Sequence, residues 1–447
     1  MRLVCRLGLL AGLFVLMMPA FALQFTVNST ADLPDANPGD GLCRTAQNTC
    51  TLRAAIMEAN ATVVSDSIVL NSGTYTLTRP GMGEDFASTG DLDIRSAISI
   101  IGSANARPVI NGGNIDRVFD VHSGGSLVLN HVNVIGGLAN TAGTLTGGGF
   151  RVRLGGRLFL SAVDVSANIA NVGGAIYSRG EVAIAFSRFF NNVLVEGPAT
   201  LELRDGTAIR SYGHLIIRSS TFHANGVIPG GGSALLPDRH VIVSSATASE
   251  QSRFLGIINS TFYGNTKGIR SDKIPTEIAG SSLVNNGASG LEFIFDNLKP
   301  GDKQLEILRT VIYGHANDCN GLPPSAGFDW LSTGVFNASS DTTCGFSGTN
   351  GFENIVYPFN GGLADHGGFT PTLMPKSFGI LVDPPGSDCA SDLIQQTAAE
   401  DQRNFPRPLD GNGDGTALCD IGAVEFNRDT DPVLTDGLFS DRFELSD

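Results

Sequence analysis

Apolar residues recur at fixed positions of an eleven-residue module that the chain repeats seven times. The copies begin at Leu127, Leu158, Val182, Leu215, Leu255, Thr276 and Leu305. Position three is aliphatic in every copy: Leu129, Leu160, Ile184, Ile217, Ile257, Ile278 and Ile307. Position eight is apolar in every copy: Val134, Val165, Phe189, Phe222, Phe262, Leu283 and Ile312. Side chains along a strand point alternately to its two faces. Positions one and three are odd and positions six and eight are even, so in one straight strand the two pairs would lie on opposite faces. Both pairs face one core only if the chain bends between them, so each module predicts two short strands around a corner.

The eleventh position is asparagine in five copies: Asn168, Asn192, Asn225, Asn265 and Asn286. Asparagine tolerates the left-handed region and hydrogen-bonds its own backbone, as a tight turn after a strand requires. If the turns stack, these side chains should align in a ladder. The module starts lie 21 to 40 residues apart, so the surplus residues must leave as loops. This pattern is typical of a solenoid whose coils bury their faces against one another.

The pattern therefore predicts an all-β fold, a single-stranded parallel β-helix over residues 63–360. Its right hand is expected from the crossover rule for parallel strands. Strand-like segments at residues 68–70, 74–77, 98–101, 109–110 and 118–121 predict earlier coils. Residues 23–62 predict a cap with one short helix, which Thr51 would begin and Asn60 would end. A cap has a physical reason, since a solenoid exposes its core at each end.

The first 22 residues read as a secretory signal peptide, with Arg2 and Arg6 before an apolar run and a small-residue cleavage site at Ala20 and Ala22. No later segment has the roughly 20 apolar residues that a membrane helix needs. We therefore expect a protein that is secreted or held at the cell surface, with no transmembrane segment in the mature chain. The acidic residues 427–447 predict a disordered tail.

Charge excludes one class of partner. The 447-residue chain has 29 basic and 44 acidic side chains, a formal net charge of −15. Nucleic-acid binding depends on neutralising phosphates, so we expect no nucleic-acid partner. An acidic chain of this kind is suited to solubility and to divalent cations.

Six cysteines remain after the signal peptide, an even number in an exported chain. Three disulfides are therefore expected. Proximity in sequence favours Cys43 with Cys50, Cys319 with Cys344, and Cys389 with Cys419. No pair has the two-residue spacing typical of a zinc site.

Two acidic loops are candidate metal sites. Asp410, Asn412 and Asp414 alternate with glycines as in the first half of a calcium loop, and Asp420 or Glu425 could supply the closing carboxylate that position twelve lacks. Calcium, in a structural role, is the expected cofactor. The alternative is a glycine-rich turn that binds no metal. The acidic loop at residues 32–40 is a weaker candidate, for which a solvated turn is favoured.

Three resemblances cover much of the chain. The segment from Thr26 through Cys50-Thr51-Leu52-Arg53 resembles the N-terminal segment of bacterial CSLREA-signature proteins, with Ala54 in place of the acidic residue. The Phe-x-x-Asn and Gly-Gly-Ala-Ile strings resemble the repeats of chlamydial polymorphic outer-membrane proteins. Residues 361–426, which contain the string Cys-Asp-Ile-Gly-Ala-Val-Glu, resemble the choice-of-anchor Q region. These resemblances imply an exported, adhesive β-helical surface protein of the bacterial outer membrane.

The expected function is accordingly non-catalytic. We expect an adhesion or surface-interaction protein whose extracellular ligand is a carbohydrate or the surface of a host or neighbouring cell. The alternative is a polysaccharide lyase or glycoside hydrolase of the pectin-lyase-like β-helix class. The Gly-His-Gly and Arg-x-Lys signatures of pectin hydrolases do not occur. Asp164, Arg188 and Arg218 are the charged outward positions that could serve catalysis, but exposed charge is normal on a solenoid face, and we predict no catalytic residues.

Overall fold

Parallel strands coil into three long sheets, which confirms the predicted parallel β-helix. The computed structural model describes residues 22–140, 145–195, 205–226, 239–246, 253–295, 305–322, 336–346, 351–387, 389 and 399–431. The predicted signal peptide, apart from its last residue, and most of the predicted tail lie outside these residues. From Asp66 to Asn320, each coil of the described chain passes through sheet A, then sheet B, then sheet C, and returns to sheet A one rung further along.

Sheet A has ten strands: Gln24–Thr26, Asp66–Val69, Ala97–Ile101, Ser126–Asn130, Arg157–Ser161, Glu181–Ala185, His214–Arg218, Leu255–Ile258, Thr276–Ala279 and Leu305–Leu308. Sheet B also has ten: Thr74–Thr76, Val109–Asn111, Asn133–Ile135, Asp164–Ser166, Arg188–Phe190, Thr221–His223, Thr261–Tyr263, Ser282–Val284, Val311–Tyr313 and Ala338–Ser339. Sheet C has nine: Leu92–Ile94, Phe119–Val121, Phe150–Val152, Ile176–Ser178, Ile209–Ser211, His240–Ser245, Lys267–Asp272, Ser289–Ile294 and Asn317–Asn320. A short fourth sheet contains Leu138–Ala139, Ile169–Ala170 and Val193–Leu194.

The apolar residues at positions three and eight face one core as predicted, and they form two buried columns. In sheet A the seven aliphatic residues from Leu129 to Ile307 pair each with the next, and none is more than 2% exposed. In sheet B the column from Val134 to Ile312 pairs in the same way and is fully buried. Its phenylalanines stack, with ring centroids 4.6 Å apart for Phe189 and Phe222. One continuous core therefore runs along the solenoid axis.

The bend inside each module is a single residue in the left-handed region. Position five has φ between 44° and 55° in all seven copies, and this residue joins the sheet A strand to the sheet B strand. The seven residues are His131, Ala162, Phe186, Ser219, Asn259, Gly280 and Arg309. One left-handed residue changes the strand direction and restores the parity that brings positions six and eight back to the core.

The asparagine ladder is confirmed, but the expectation that its members take the left-handed backbone conformation is wrong. Nδ2 of Asn168 donates to Oδ1 of Asn192 at 3.1 Å, and the same bond recurs through Asn225 and Asn265 to Asn286 at 3.0, 3.0 and 2.8 Å. The left-handed residue is the one before, at position ten, where φ lies between 51° and 78°. Because position ten makes the turn, the asparagine that follows it points inward and bonds to the next coil.

The N-terminal segment caps the solenoid as predicted. The helix Leu52–Asn60 begins after Thr51, whose hydroxyl accepts from the backbone NH of Ala54 at 3.1 Å. Leu52, Ala55 and Ile56 of the helix join the core of the first coils. The segment also supplies Gln24–Thr26, which is the first strand of sheet A.

Arg53, within the CSLREA-like motif, joins the cap to the first coils. Its buried guanidinium bonds to Asp32 (Nε to Oδ1, 2.5 Å) and donates to the carbonyls of Ala87 and Gly90, both at 2.9 Å. Asp32 in turn accepts from the backbone NH of Thr78 at 2.7 Å. The acidic loop that begins at Asp32 therefore has a structural partner in the helix.

The C-terminal section lies along the outside of sheet B. Nε2 of Gln402 donates to the hydroxyl of Thr221 at 2.7 Å, and the hydroxyl of Thr261 donates to Oε1 of Gln402 at 2.6 Å. One coil further, the NH of Ala423 donates to the hydroxyl of Ser282 at 3.1 Å. This section therefore covers the outward face of sheet B over the C-terminal coils.

The three predicted disulfides are all present. Cys43 bonds to Cys50, Cys319 to Cys344, and Cys389 to Cys419, with Cα atoms 5.1, 5.0 and 5.3 Å apart. These distances lie in the range that disulfide geometry allows. The first bond closes the cap and the third lies within the C-terminal section.

Candidate functional site

Sheet C presents a row of charged and aromatic side chains on its outer face. Its strands alternate apolar, polar and apolar residues, so the middle residue points outward while its neighbours enter the core. The row runs Asp93, Asp120, Arg151, Tyr177 and Arg210, each directly paired with the next. Consecutive rungs lie about 4.8 Å apart.

A second row lies just past the ends of these strands, two residues further along the chain, and it includes Arg153, Arg179 and Tyr212. The three neighbouring rungs from Arg151 to Tyr212 therefore carry four guanidinium groups and two phenol rings. We call the six residues Arg151, Arg153, Tyr177, Arg179, Arg210 and Tyr212 the sheet C face. Four of these side chains, Arg151, Arg153, Tyr177 and Arg179, line a cavity of about 520 Å³.

Arg210 lies at the centre of the aromatic part of this face. It is only 8% exposed, its Nη2 donates to the hydroxyl of Tyr212 at 2.8 Å, and its guanidinium lies 4.5 Å from the centre of that ring. Its Nε is buried and makes no hydrogen bond within the described chain. A buried donor without a partner costs free energy, so Arg210 is suited to an acceptor supplied by a ligand.

Acidic residues and one histidine adjoin the N-terminal end of the face. Asp85, Asp93, Asp120 and His122 place one ligand atom each within 4.8 Å of the others, and the described residues contain no other such group of His, Cys, Asp and Glu. Nε2 of His122 lies 2.7 Å from Oδ1 of Asp93. Asp120 bonds to the guanidinium groups of both Arg151 and Arg153. These four residues could hold a cation, but arginine already neutralises Asp120.

The electrostatics of this end are set by burial and by the arginines. Burial raises the pKa of Asp93, and it raises the pKa of Asp91 well above its usual value. Burial would also raise the pKa of Asp120, but hydrogen bonds from Arg151 and Arg153 outweigh it and lower the pKa to about 2. Asp120 is therefore ionised and ion-paired at neutral pH. A general base works best with a pKa near the working pH, which Asp120 does not have.

The charged residues considered for catalysis do not form one site. Asp164 and Arg188 are paired on neighbouring strands of sheet B and form an ion pair, with Nε of Arg188 2.9 Å from Oδ1 of Asp164. Arg218 lies in sheet A, because it occupies position four of its module whereas the other two occupy position seven. The bend at position five therefore separates Arg218 from them.

The predicted calcium loop is an ordered turn. Oδ1 of Asp410 accepts from the NH of Gly413 at 2.7 Å, and Oδ2 accepts from the NH of Gly415 at 2.9 Å. Asp420, the predicted closing ligand, is buried and accepts from the NH of Phe426 at 2.6 Å. Burial and the neighbouring Glu425 raise its pKa well above the usual range. Asp420 thus does not join Asp410 and Asp414 in a ligand group, and calcium binding by Asp410, Asn412 and Asp414 stays a prediction.

Calcium is expected to raise the melting temperature if this loop binds it in the folded state alone. At a calcium concentration one hundred times Kd, the stabilisation is about 2.7 kcal/mol. Differential scanning calorimetry with calcium and with a chelator measures the shift. Asp410→Asn should abolish it, whereas the exposed control Asp429→Asn should keep it. Equal shifts in the two variants would contradict a site at this loop.

The sequence contains a repeated pattern that predicts the outward row of sheet C. Leu92-Asp93-Ile94, Phe119-Asp120-Val121 and Phe150-Arg151-Val152 repeat an apolar, charged, apolar triplet that ends each coil. The triplets are short and their distance from the eleven-residue module varies, so the module alone does not reveal them. Recognising them as one sheet would have predicted the charged outward row.

In the described part of the chain, no helix combines the length and the apolar character needed to cross a membrane. The sequence matches no protein-family model, and no curated protein matches it. One solved structure to which it is similar is the crystal structure of pectate lyase Pel9A. The similarity covers 91% of this chain and 97% of that chain, at 13% sequence identity and a TM-score of 0.46. The β-helix assignment rests on the three parallel sheets and not on this similarity.

Proposed function

We propose that this protein is an exported β-helix protein that binds an anionic polysaccharide on the sheet C face without cleaving it. The observation that carries the proposal is the concentration of four arginines and two tyrosines on three neighbouring rungs. The chain as a whole has a net charge of −15. The arginine-rich sheet C face therefore attracts polyanions, which the acidic remainder of the surface repels.

The chemistry of the face favours carboxylates or sulfates on a polymer. Guanidinium groups are planar and bind such anions through two hydrogen bonds at once. Tyr177 and Tyr212, with ring centroids 5.9 Å apart, add apolar surface and hydroxyl groups. The rungs repeat along the solenoid axis, so a linear polymer can meet similar groups on successive coils. Arg210 lies at the centre of this surface, where its guanidinium lies against the ring of Tyr212 and bonds to its hydroxyl.

Three features support export and surface display as part of the proposal. The N-terminal residues read as a signal peptide, and the chain forms three disulfides, which persist in oxidising compartments. The cap and the C-terminal section contain the residues that resemble those of bacterial surface proteins. The C-terminal section covers sheet B and leaves the sheet C face uncovered by the described residues of that section.

The competing function is polysaccharide cleavage. Asp85 and His122 adjoin Arg153 at the end of the face, with Nη2 of Arg153 2.7 Å from Oδ1 of Asp85, so acidic, basic and guanidinium groups converge there. Cleavage needs a base free to take a proton and a group that stabilises the developing charge. Asp93 is fully buried and bonded to His122, and Asp120 is held by two arginines, which favours a structural role for this group.

The test is binding of a soluble polyuronate, measured by isothermal titration calorimetry on the full chain. The wild type should bind the polyuronate and not a neutral glucan of matched length. Arg210→Gln removes a charged hydrogen bond and should weaken binding about ten- to hundredfold. Lys376→Gln, an exposed change in the C-terminal section, should leave the affinity unchanged.

The same samples distinguish binding from cleavage. No new reducing or unsaturated ends should appear during long incubation, with or without calcium. Release of such ends, abolished by Asp85→Asn or His122→Gln, would establish the enzymatic alternative instead. Equal affinity for the neutral glucan would rule out recognition of the anionic groups.

A further inference from the structure

A second cavity, of about 690 Å³, lies where the chain turns from sheet C into sheet A. We call it the corner pocket. It is lined by residues 154–157, 179–181, 213–214 and 253–254, which belong to successive coils. Leu154 and Arg179 line both this pocket and the cavity of the sheet C face, so the two are continuous. The volume is in the range of ordinary small-molecule sites.

Stacked glycines form the floor of the pocket. A Cβ atom on Gly180 would lie 2.1 Å from the carbonyl oxygen of Gly156, and one on Gly213 would lie 1.8 Å from the carbonyl oxygen of Gly180. The coils approach so closely at this corner that no side chain fits between them. The corner is therefore a groove whose base is formed by backbone atoms. The side chains of the residues next to these glycines form its sides.

Three basic side chains are among the residues that line the pocket. Arg157, Arg179 and Arg253 all line it. Arg253 is 7% exposed and is anchored by a bond from Nη1 to the carbonyl of Ser245 at 3.1 Å. Burial lowers the pKa of Arg253, and the positive charge of Arg179 lowers it further. The two guanidinium groups therefore lie close enough to affect each other's charge.

Apolar and aromatic side chains and one carboxylate line the rest of the pocket. The rings of His214 and Phe254 lie 5.7 Å apart at an angle of 30°, and the Leu154 side chain is 50% exposed. Glu181 pairs with Arg157, with 3.0 Å between Oε2 and Nε, and both side chains are more than half exposed. A ligand for this pocket needs an anionic group for the arginines and a flat apolar face for the rings.

We propose that the corner pocket binds a single carboxylate-bearing sugar, a uronic acid unit of the polysaccharide. The carboxylate lies among the arginines, and one face of the pyranose ring packs against Phe254 and Leu154. This assignment rests on the proposed function, since it names the unit that the continuous surface recognises. It makes the sheet C face an extended contact for the polymer and the corner pocket the place where one unit is identified.

The test uses glucuronate as a monosaccharide, added to the full wild-type chain at millimolar concentration. Saturation-transfer NMR should show contact to the ring protons of glucuronate, and neither glucose nor acetate should bind as tightly. Glucose lacks the anion and acetate lacks the ring, so the two controls separate the contributions of the basic and the apolar side chains. Acetate binding as tightly as glucuronate would overturn the sugar assignment.

Two exposed variants should change the affinity in opposite directions. Glu181→Gln removes the negative charge of the pocket and should tighten glucuronate binding about two- to fivefold. Arg157→Gln removes a positive charge and should weaken it by a similar factor. Lys376→Gln should have no effect. Both charges lie at the surface, so neither variant is expected to disturb the fold.

The polymer experiment separates failure of this proposal from failure of the proposed function. If the wild type binds the polyuronate but not glucuronate, and the two pocket variants leave polymer affinity unchanged, the corner pocket assignment is overturned and the sheet C face stands. If glucuronate binds with the predicted response while the polymer does not, the pocket assignment is supported and polysaccharide binding is overturned.

Discussion

Replacing Arg53 with methionine is expected to lower the free energy of unfolding by about 3–5 kcal/mol. Arg53 is 1% exposed, and its guanidinium bonds to Asp32 and to the carbonyls of Ala87 and Gly90. Methionine fills a similar volume but supplies none of these donors. The variant would leave a buried carboxylate and two buried carbonyls without their partner, which is the costly case for a buried ion pair.

Urea denaturation followed by circular dichroism measures the loss. Arg44→Met is the matched control, because Arg44 is exposed and lies in the same N-terminal cap. Hydrogen exchange should further show increased opening of the helix and of the first coils, since Arg53 joins them. A loss below about 1 kcal/mol would mean that the ion pair with Asp32 does not hold the cap in place.

The second large effect is expected in the asparagine ladder. Asn225→Ala should lower the free energy of unfolding by about 2–4 kcal/mol, since it leaves several buried polar groups without partners. Nδ2 of Asn225 donates to the carbonyl of Phe189 at 2.8 Å and to Oδ1 of Asn265 at 3.0 Å. Its Oδ1 accepts from Nδ2 of Asn192 at 3.0 Å. All of these atoms lie in the interior, where water cannot replace the lost bonds.

Thermal and urea unfolding compare this variant with Asn105→Ala, which changes an exposed asparagine outside the ladder. The double variant Asn192→Ala with Asn225→Ala should cost less than the sum of the two single changes, because the bond between the two residues is lost only once. Additive costs would indicate that the ladder members act independently. A single-variant cost under about 0.5 kcal/mol would show that the ladder contributes little, since changes of that size are typical of surface positions.

Most of the solenoid could be predicted because its repeats are local. The third and eighth positions of the module carry large aliphatic or aromatic side chains that only a common core can bury. Even Ile278, in a module that begins with Thr276, joins the column beside Ile257. The three disulfides followed from proximity in sequence, since each closes a short segment.

The turn geometry was harder to predict because two neighbouring positions are each compatible with it. Asparagine at position eleven suits a left-handed backbone, yet the structure uses position ten, where Ala167 and Ala224 have positive φ. The ladder bonds stabilise the stacked coils only if the asparagine side chain points inward. Contacts between coils, rather than the backbone preference of the residue, therefore decide which position makes the turn.

The sequence by itself determined the strands, their common core, the cap helix with its Thr51 N-cap, the ladder and the disulfides. These features depend on periodicity and on residues close together in the chain, which a single sequence displays. Only the tertiary structure decided which outward residues become neighbours. Arg151, Tyr177 and Arg210 are 26 and 33 residues apart in sequence but occupy adjacent rungs. The loops between them vary in length, and loop length costs little free energy once the coils stack. The pairing of the coils, which the buried columns fix, thus places the sheet C face and the corner pocket.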